Sequence, residues 1–413
     1  MIMHILYSIG IWFFGLGVRI AALLGHPNAR LMVDGWKSAF DKVRRKDKRP
    51  TVWFHAASLG EFEQARPVLE RYRELHPEHR VIVSFFSPSG YEIRKNYALA
   101  DTVCYLPIDT PDNARRFIDA MQPSVVFFVK YEFWFNYLNE LHRRGTPTYI
   151  FSAIFRPGQY FFRPWGCWFR KQLRCCFNHL FVQNEESAQL LRKHKITQVS
   201  IAGDTRFDRV HQIAQTAATN DIAEQFVGTG NRVIIAGSSW EPDEQNIASY
   251  LHNTTLPLKL ILAPHVIREE HLSQIEKIFP ESIRYSKFQS QNNKNKTYKV
   301  LIIDNIGMLS QLYRYADVAY IGGGFGRGIH NILEAVTFGK PVVFGPNHTK
   351  FQEAIDIIAC GGGWTYTAPN ELCSIFDTLL TNPQAMQAAS EQCRMYMEKN
   401  LGSTEKILKT IEK

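Results

Sequence analysis

The stretch VWFHAASLGEFEQARPVLE (residues 52–70) changes its pattern halfway along. Its first half is an apolar run, typical of a strand buried on both faces, and its second half is typical of an amphipathic helix. Between them, the turn Ser58-Leu59-Gly60-Glu61 places a carboxylate where the strand gives way to the helix. Ser58 followed three positions later by Glu61 is also a capping box, so the spacing leaves both a structural and a catalytic role open for Glu61.

The same alternation of strand and helix continues through the 413 residues, a length that favours two domains. The predicted strands are TVWFHAAS (51–58), RVIVSFFS (80–87), TVCYLP (102–107), SVVFFVK (124–130), PTYIFSAI (147–154), HLFV (179–182), RVIIAGSS (232–239), LKLILAPH (258–265), KVLIIDN (299–305), VAYIGGG (318–324) and PVVFGP (341–346). This pattern predicts an α/β fold with two Rossmann-like halves that meet near residue 206. Ligands of such sheets bind beyond the carboxyl ends of the strands, so we expect the functional site in a central cleft that the two domains face.

The formal net charge of +9 favours an anionic partner, such as acidic lipid, nucleic acid or a phosphorylated substrate. The basic residues concentrate in 37–49 and 156–174, and no RNA-binding or DNA-binding module is evident, so we expect no nucleic-acid partner. The seven cysteines show neither C-x-x-C nor another metal-ligand spacing. Neither a metal site nor a Ser-His-Asp arrangement is predicted.

Residues 5–25, ILYSIGIWFFGLGVRIAALLG, carry Arg19 as their one charge and would form a helix roughly 32 Å long, about the thickness of a bilayer core. No small-residue cleavage site follows, so a retained anchor is favoured over a removed signal peptide. The basic flank at 37–49 belongs on the cytoplasmic side of a membrane. The segment is predicted either to span the membrane or to lie along it. The aromatic and basic stretch 155–177 is predicted either to meet lipid or to be a helix of the core.

The glycine-rich stretch YIGGGFGRGIHNILEAVTFGKPVVFGP (320–346) is the strongest local motif. Three consecutive glycines let backbone N–H groups approach a ligand, and a helix predicted to start near Asn331 would offer its N-terminus to a phosphate. Glu334 is placed to accept hydrogen bonds from sugar hydroxyls. The stretch is neither the dinucleotide-binding fingerprint nor a P-loop.

Other polar residues follow predicted strands. Pro264 and His265 follow one strand of the second half, and the backbone of Ile306, Gly307 and Met308 after another could recognise a base edge. In the first half, Lys130 and Glu132 lie just past a buried strand. Arg206 lies at the domain junction, where a cation could face a phosphate.

Together these stretches resemble the 3-deoxy-D-manno-octulosonic acid (Kdo) transferases of lipopolysaccharide synthesis. The resemblance rests on the apolar start, HAASLGE, KYEFWFN, GDTRFDRV, APH, GRGIHNILEA and GKPVVFGP, and it covers nearly the whole chain. It implies a GT-B glycosyltransferase at the cytoplasmic face of the inner membrane. Such an enzyme transfers Kdo from CMP-Kdo to the lipid A precursor with inversion, without a metal or other cofactor. Its partners are CMP-Kdo, the lipid A precursor and inner-membrane lipids.

The resemblance also implies roles for individual residues. Glu61 matches the general base, and Glu132 and Arg206 match positions that stabilise the transition state. The CMP-contacting segments correspond to Pro264, His265, Ile306, Gly307, Met308, Asn331, Ile332, Leu333 and Glu334. The implied domains are a membrane helix at 1–26, an acceptor domain at 27–205, and a CMP-sugar domain at 206–413 whose last helix is free to pack back on the acceptor domain.

Some positions depart from the family pattern. Arg206 replaces a common Lys, Asn331-Ile332 stands where Asn-Pro is usual, and Lys130 replaces an acidic residue. The alternative function is another GT-B enzyme acting on a UDP-sugar, either a transferase or an epimerase. A membrane-associated start and the SLGE turn favour the Kdo transferase over an epimerase.

Overall fold

The computed structural model describes residues 2–290 and 297–412. The chain forms two compact units: unit 1 comprises Met1–Arg209 and Leu401–Lys413, and unit 2 comprises Val210–Asn400. Each unit is built on one seven-stranded sheet. The predicted α/β class is therefore confirmed, and the division between the units falls a few residues after the predicted boundary.

The sheet of unit 1 is parallel throughout and has the order β3-β2-β1-β4-β5-β6-β7. Its strands are β1 (Thr51–Ala56), β2 (Arg80–Phe85), β3 (Thr102–Tyr105), β4 (Val125–Val129), β5 (Thr148–Ala153), β6 (His179–Val182) and β7 (Val199–Ile201). The strand order reverses direction between β1 and β4, and such a switch point opens a crevice at the carboxyl ends of the two strands. Glu61 follows β1 and Glu132 follows β4, so both lie beside this switch point.

Helices cover both faces of this sheet, because a parallel sheet buried on both sides needs two apolar layers. They are α1 (Ile2–Leu23), α2 (Pro27–Val43), α3 (Leu59–Leu75), α4 (Pro88–Arg94), α5 (Pro111–Met121), α6 (Phe135–Arg143), α7 (Cys167–Cys176), α8 (Glu185–Lys193), the start of α9 (Arg206–Thr216) and, from the later segment, α19 (Ser403–Ile411). Ile407 and Leu408 of α19 are buried in the same core cluster as Val68 and Leu69 of α3. Unit 1 is thus completed by residues that follow unit 2 in the sequence.

Helix α1 is the one described helix that is long and apolar enough to cross a membrane, judged by length and composition. One of its faces packs on unit 1. The Tyr7 hydroxyl donates to Asp109 Oδ2 at 2.6 Å, and the rings of Phe14 and Phe86 stack with centroids 5.9 Å apart. Most of its other apolar side chains are exposed.

Within 155–177, some aromatic side chains are buried and others are exposed. Phe155, Phe161 and Phe177 are buried in the core of unit 1. Trp165, in contrast, is 57% exposed. The ring of Trp168 lies 6.2 Å from that of His4 in α1, so this segment adjoins the apolar helix.

The sheet of unit 2 is also parallel and has the order β10-β11-β9-β8-β12-β13-β14. Its strands are β8 (Arg232–Ser239), β9 (Leu258–Pro264), β10 (Ser282–Arg284), β11 (Val300–Ile302), β12 (Val318–Ile321), β13 (Val342–Phe344) and β14 (Gly363–Thr365). The switch point lies between β8 and β12, and the glycine-rich stretch begins directly after β12.

The helices of unit 2 are α10 (Asp221–Val227), α11 (Glu241–Asn253), α12 (Glu269–Ile278), α13 (Tyr285–Ser290), α14 (Leu309–Leu312), α15 (Leu333–Val336), α16 (Gln352–Cys360), α17 (Pro369–Thr381) and α18 (Pro383–Asn400). The helix expected to start near Asn331 begins at Leu333 and has four residues. A helix this short carries little macrodipole, so the predicted N-terminal phosphate site has weak support from this element.

Candidate functional site

Glu61 lies in the first turn of α3, directly beyond β1. The backbone N–H of Ser58 donates to its Oε2 at 2.8 Å, and the Ser58 hydroxyl donates to the same oxygen at 2.5 Å. The other oxygen, Oε1, has no hydrogen-bond partner among the described residues. The carboxylate therefore caps the helix with one oxygen while the second remains available, so the two roles that the spacing left open are compatible.

Glu132 is almost fully buried beyond β4. Its Oε2 accepts a hydrogen bond from Trp134 Nε1 at 2.6 Å and lies 3.1 Å from His55 Nε2. On the other side of the imidazole, His55 Nδ1 lies 2.8 Å from Ser84 Oγ. A Ser-His-carboxylate line is thus present, although the sequence predicted none. Ser84 is fully buried and accepts a hydrogen bond from Trp53, so it is inaccessible as a nucleophile.

Arg206 is not an isolated cation. Its Nε donates to Asp204 Oδ2 at 2.9 Å, and its backbone N–H donates to Asp204 Oδ1 at the same distance. Burial alone would raise the pKa of Asp204, but the Arg206 guanidinium and a hydrogen bond from Gln64 bring that pKa below its usual value. The pair holds the guanidinium in a fixed direction at the start of α9.

Tyr131 marks where several of these groups come together in unit 1. Burial raises the pKa of its hydroxyl, and the charges of Arg156, Asp204, Arg206 and Glu61 act on it as well. Gln64, three residues after Glu61 in α3, donates to Asp204 Oδ1 at 3.0 Å, so the Asp204–Arg206 pair lies close to the start of α3. Tyr131 is the residue before Glu132. Arg156, which the sequence placed in the aromatic stretch, joins this group.

The backbone is strained at three strand ends. Lys130 (φ 62°), Ser152 (φ 51°) and Ser238 (φ 53°) adopt the left-handed conformation. Ser152 and Ser238 coincide with irregularities in strand register at the carboxyl ends of β5 and β8. Left-handed non-glycine residues and bulges concentrate near functional sites, because there they redirect side chains.

Unit 2 contains a cavity of about 740 Å³ at its switch point. Its lining residues come from the end of β8, the end of β9 and the glycine-rich stretch: Trp240, Pro242, Asp243, His265, Gly323, Phe325, Gly326, Arg327, Gly328 and His330. Three of their rings form a stack, with centroid distances of 4.8 Å from Trp240 to His265 and 4.4 Å from His265 to His330. Burial and the neighbouring His265 lower the pKa of His330, which favours its neutral form. Stacked rings beside an arginine suit a planar, anionic ligand.

The predicted donor-binding residues are distributed unevenly around this cavity. His265 lines it, and Pro264 is the buried last residue of β9 next to it. Ile306, Gly307 and Met308 form the loop between β11 and α14 and are not among the lining residues. Ile306 is 91% exposed.

The four predicted residues from Asn331 to Glu334 lie just past the lining residues. Asn331 lies just before α15: its Oδ1 accepts from Leu333 N–H at 3.2 Å, and its Nδ2 donates to Glu334 Oε1 at 3.0 Å. The side chains of Ile332 and Leu333 are fully buried in unit 2. Only the backbone of these two residues could meet a ligand.

The glycines after β12 serve packing more than ligand approach. A Cβ on Gly322 would lie 2.2 Å from the carbonyl oxygen of Ser238. The N–H groups of Gly323, Gly326 and Gly328 all donate within the protein, the first of them to Asp243 Oδ2 at 2.9 Å. These three N–H groups are therefore already engaged within the protein.

Sequence reasoning missed Trp240, Asp243, Arg327 and His330 in this cavity. The signal that could have found them is topological, because all four follow the two strands that flank the switch point. The amino-acid types of these four residues would not have identified them without that strand order.

Among the described residues, His76, Glu78 and His79 bring three potential metal-ligand atoms within 4.8 Å of one another. They follow the C-terminal end of α3, roughly 25 Å along the helix from Glu61. This cluster is therefore separate from the candidate site.

Comparison with known proteins connects this geometry to a family. Residues 34–209 match the model of the 3-deoxy-D-manno-octulosonic-acid transferase (kdotransferase) family. The chain is 27% identical to the 3-deoxy-D-manno-octulosonic acid transferase of Chlamydia trachomatis, over 92% of this chain and 90% of that protein. It is also 27% identical to the enzyme of the same name from Aquifex aeolicus, over 84% of this chain and 90% of that protein.

Solved structures agree on the fold. UDP-GlcNAc 2-epimerase from Neisseria meningitidis, bound to UDP-GlcNAc, superposes with a TM-score of 0.62, at 15% identity, over 87% of this chain and 99% of that chain. At this identity the likeness concerns the fold alone, and it confirms the predicted GT-B class. Residues 34–209 therefore form a Kdo transferase family domain, and the chain is similar to Kdo transferases over most of its length, as its motifs predicted.

Proposed function

We propose that this glycosyltransferase transfers Kdo from CMP-Kdo to the tetraacylated lipid A precursor, lipid IVA, with inversion and with Glu61 as the general base. The observation that carries the proposal is the state of the Glu61 carboxylate. One oxygen is held by Ser58 and the other has no partner among the described residues. A base needs this combination, because its position must be fixed while a lone pair stays accessible.

On the acceptor side, Glu61 Oε1 takes the proton from a glucosamine hydroxyl of lipid IVA. The acceptor oxygen attacks the anomeric carbon of Kdo as the bond from that carbon to the phosphate oxygen breaks, and CMP leaves with the bonding electrons. A single displacement of this kind inverts the anomeric centre. The proton ends on Glu61 and is then released to water.

The charges that develop in this step need fixed partners. The Arg206 guanidinium, oriented by Asp204, stabilises the negative charge on the departing phosphate. The Glu132 carboxylate stabilises positive charge on the sugar ring. With these groups in these roles, the proposed reaction requires no metal.

On the donor side, the unit 2 cavity receives CMP-Kdo. Its volume of about 740 Å³ falls within the range of small-molecule sites. The rings of Trp240, His265 and His330 offer a stacking surface to the base, and Arg327 offers a cation to the phosphate or the Kdo carboxylate. Pro264, the loop Ile306–Met308 and the segment Asn331–Glu334 complete the proposed donor site around this cavity.

We also propose that the protein is held at the cytoplasmic face of the inner membrane by α1 lying in the plane of the membrane. Contacts with unit 1 run along α1 from His4 to Val18, about 21 Å of its length. A helix that keeps these contacts cannot also cross a bilayer core of about 30 Å. Its exposed apolar face and the adjoining Trp165 instead form a surface for lipid.

A protease-accessibility measurement distinguishes this arrangement from a spanning helix. A tag fused before Met1 should resist protease added outside spheroplasts and be cut when inverted membrane vesicles are treated. Cleavage of the tag in intact spheroplasts would show that α1 spans the membrane.

The reaction is tested by incubating the purified protein with CMP-Kdo and lipid IVA in the presence of a chelator, and weighing the lipid by mass spectrometry. We expect a mass gain of one or more Kdo units. Folded protein that gives no product would contradict the donor and acceptor assignment, and UDP-sugars would then be tried as donors. Loss of activity with chelator, restored by a divalent cation, would contradict the metal-independent mechanism.

A further inference from the structure

A line of buried polar side chains crosses the sheet of unit 1 and ends on Glu132. Trp53 Nε1 donates to Ser84 Oγ at 2.7 Å, and Ser84 Oγ lies 2.8 Å from His55 Nδ1. His55 Nε2 then lies 3.1 Å from Glu132 Oε2. Trp53, Ser84 and His55 are fully buried, so the line is shielded from water.

The hydrogen-bond partners allow two positions for the imidazole proton. Trp53 N–H can only donate, so Ser84 Oγ accepts there and its own hydrogen is free to reach His55 Nδ1, in which case Nε2 carries the proton and donates to Glu132. With the proton on Nδ1, the ring would instead donate to the Ser84 carbonyl oxygen at 3.1 Å, and Nε2 would accept from Trp134 N–H at 3.0 Å. The second arrangement turns a lone pair on Nε2 toward the Glu132 carboxylate, 3.1 Å away, so the first is the one on which the proposal rests.

Two donors therefore converge on one oxygen of Glu132. Trp134 N–H reaches Oε2 at 2.6 Å, beside the His55 contact, while Oε1 has no hydrogen-bond partner among the described residues. This repeats the situation of Glu61, whose Oε2 is held by Ser58. Holding one oxygen fixes the direction in which the other points.

We propose that His55 is a positioning residue that, through its Nε2–H, fixes the orientation of the Glu132 carboxylate. This inference rests on the proposed role of Glu132 in stabilising the transition state. His55 itself cannot touch substrate, because it is fully buried and packed edge-on against Phe128 at a centroid distance of 5.7 Å. Its influence passes through the hydrogen bond to Glu132, with Ser84 fixing the other side of the ring.

Two substitutions of His55 separate this role from packing. In His55→Gln the side-chain amide occupies the place of Nε2 and keeps a donor to Glu132, whereas in His55→Asn the amide occupies the place of Nδ1 and keeps only the Ser84 side. Both remove the ring. We expect His55→Asn to lower kcat about 100-fold, as misplacement of a catalytic group does, and His55→Gln to remain within about tenfold of the unaltered protein. Equal losses in both variants would overturn the proposal.

Glu132→Gln distinguishes the failure of this inference from the failure of the proposed function. If Glu132→Gln is fully active, the role of Glu132 is wrong and the inference about His55 falls with it. If Glu132→Gln is inactive while the His55 variants behave alike, only the role of His55 is wrong. In protein with ¹⁵N-labelled histidine, we expect a protonated Nε2 for His55, with a resonance that shifts in Glu132→Gln; an unprotonated Nε2 would overturn the proposal directly.

Discussion

The two units end their central strands in different ways, although both sheets are parallel and both reverse strand order near the middle. At the switch point of unit 1, charged and titratable groups are held by short hydrogen bonds, as Glu61 is by Ser58 and Arg206 is by Asp204. At that of unit 2, a cavity of about 740 Å³ is bordered by stacked rings and tight glycine turns. The same topology thus supports two kinds of site.

The difference follows from the role proposed for the carboxyl ends of the strands in each unit. A catalytic site needs a few groups held in fixed directions. Holding them requires buried hydrogen-bond partners such as His55 and Asp204. Nucleotide binding needs a cavity of suitable shape and aromatic rings on which a base can stack. In unit 2, the ring side chains and the closely packed glycine turns that border the cavity supply these features. Substitutions at the unit 1 edge should therefore act on turnover and those at the unit 2 edge on donor binding.

The strongest test of this contrast is Glu61→Gln in unit 1. Gln keeps an oxygen to accept from Ser58 but cannot take a proton, so we expect kcat to fall about 10³-fold with an unchanged melting temperature. Glu74→Gln, at the exposed C-terminal end of the same helix, is the matched control and should retain full activity. Activity of Glu61→Gln equal to that of the control would return Glu61 to a capping role alone.

The second largest expected effect is a loss of stability with rising pH, caused by the buried carboxyl group of Asp109 in unit 1. Burial raises the pKa of Asp109 to about 6, against hydrogen bonds from Tyr7, Asn136 and Tyr137. In the unfolded chain this pKa is about 3.9, so between these values the folded protein binds more protons and its stability falls as the pH rises. The loss is at most about 3 kcal/mol, and the contribution is fully present below about pH 4.

Urea unfolding of the protein and of Asp109→Asn at several pH values from 4 to 7 measures this difference. The free energy of unfolding should decline with pH more steeply in the unaltered protein than in the variant. Asp112→Asn, at an exposed position nearby, should follow the unaltered protein. Parallel curves for Asp109→Asn and the unaltered protein would show that Asp109 does not titrate in this range.

Unit 2 should instead be sensitive to backbone packing. In Gly322→Ala the new Cβ would lie 2.2 Å from the Ser238 carbonyl oxygen, and neither backbone can yield easily. We expect the free energy of unfolding to fall by about 2 kcal/mol. In Gly326→Ala the nearest atom is the Gly323 carbonyl oxygen at 3.6 Å, so this variant should unfold like the parent. Equal stability of the two variants would contradict the close-packing role of Gly322.

The smallest expected effect tests donor binding. Trp240→Ala removes one ring of the stack, so the Kd for CMP should rise about tenfold while kcat at saturating CMP-Kdo stays within about threefold. Trp165→Ala, at an exposed position of unit 1, should leave the Kd for CMP unchanged. A large fall in kcat with an unchanged Kd would place Trp240 in the chemistry and break the contrast between the units.

Much of the fold could be predicted from the sequence, because strands in the middle of a parallel sheet are continuous apolar runs. The three strands that were missed, β7, β10 and β14, are three-residue strands at the edges of the sheets. Segments that short show no periodicity. Helix α15 was expected to start near Asn331, whereas it begins two residues later, at Leu333, and has four residues.

The candidate site was only partly predictable, for a different reason. Glu61, Glu132 and His265 were singled out because each lies at the end of a predicted strand or within three residues of it. The contact of His55 with Glu132 joins positions 77 residues apart, and nothing in a uniformly buried strand marks His55 as different from its neighbours. The pairing of Arg206 with Asp204 is local, but only the structure reveals which of several nearby charges the guanidinium selects.

Helix α19 also bears on how the protein is made. Ile407 and Leu408 fill the core of unit 1, and Asp208 accepts hydrogen bonds from the backbone N–H groups of Gly402 and Thr404. At roughly 5–20 residues per second, a ribosome needs about 10–40 s to translate unit 2 after it has finished the first segment of unit 1. During that interval the core of unit 1 lacks Ile407 and Leu408, so the apolar residues of α3 in the same cluster stay uncovered until α19 emerges.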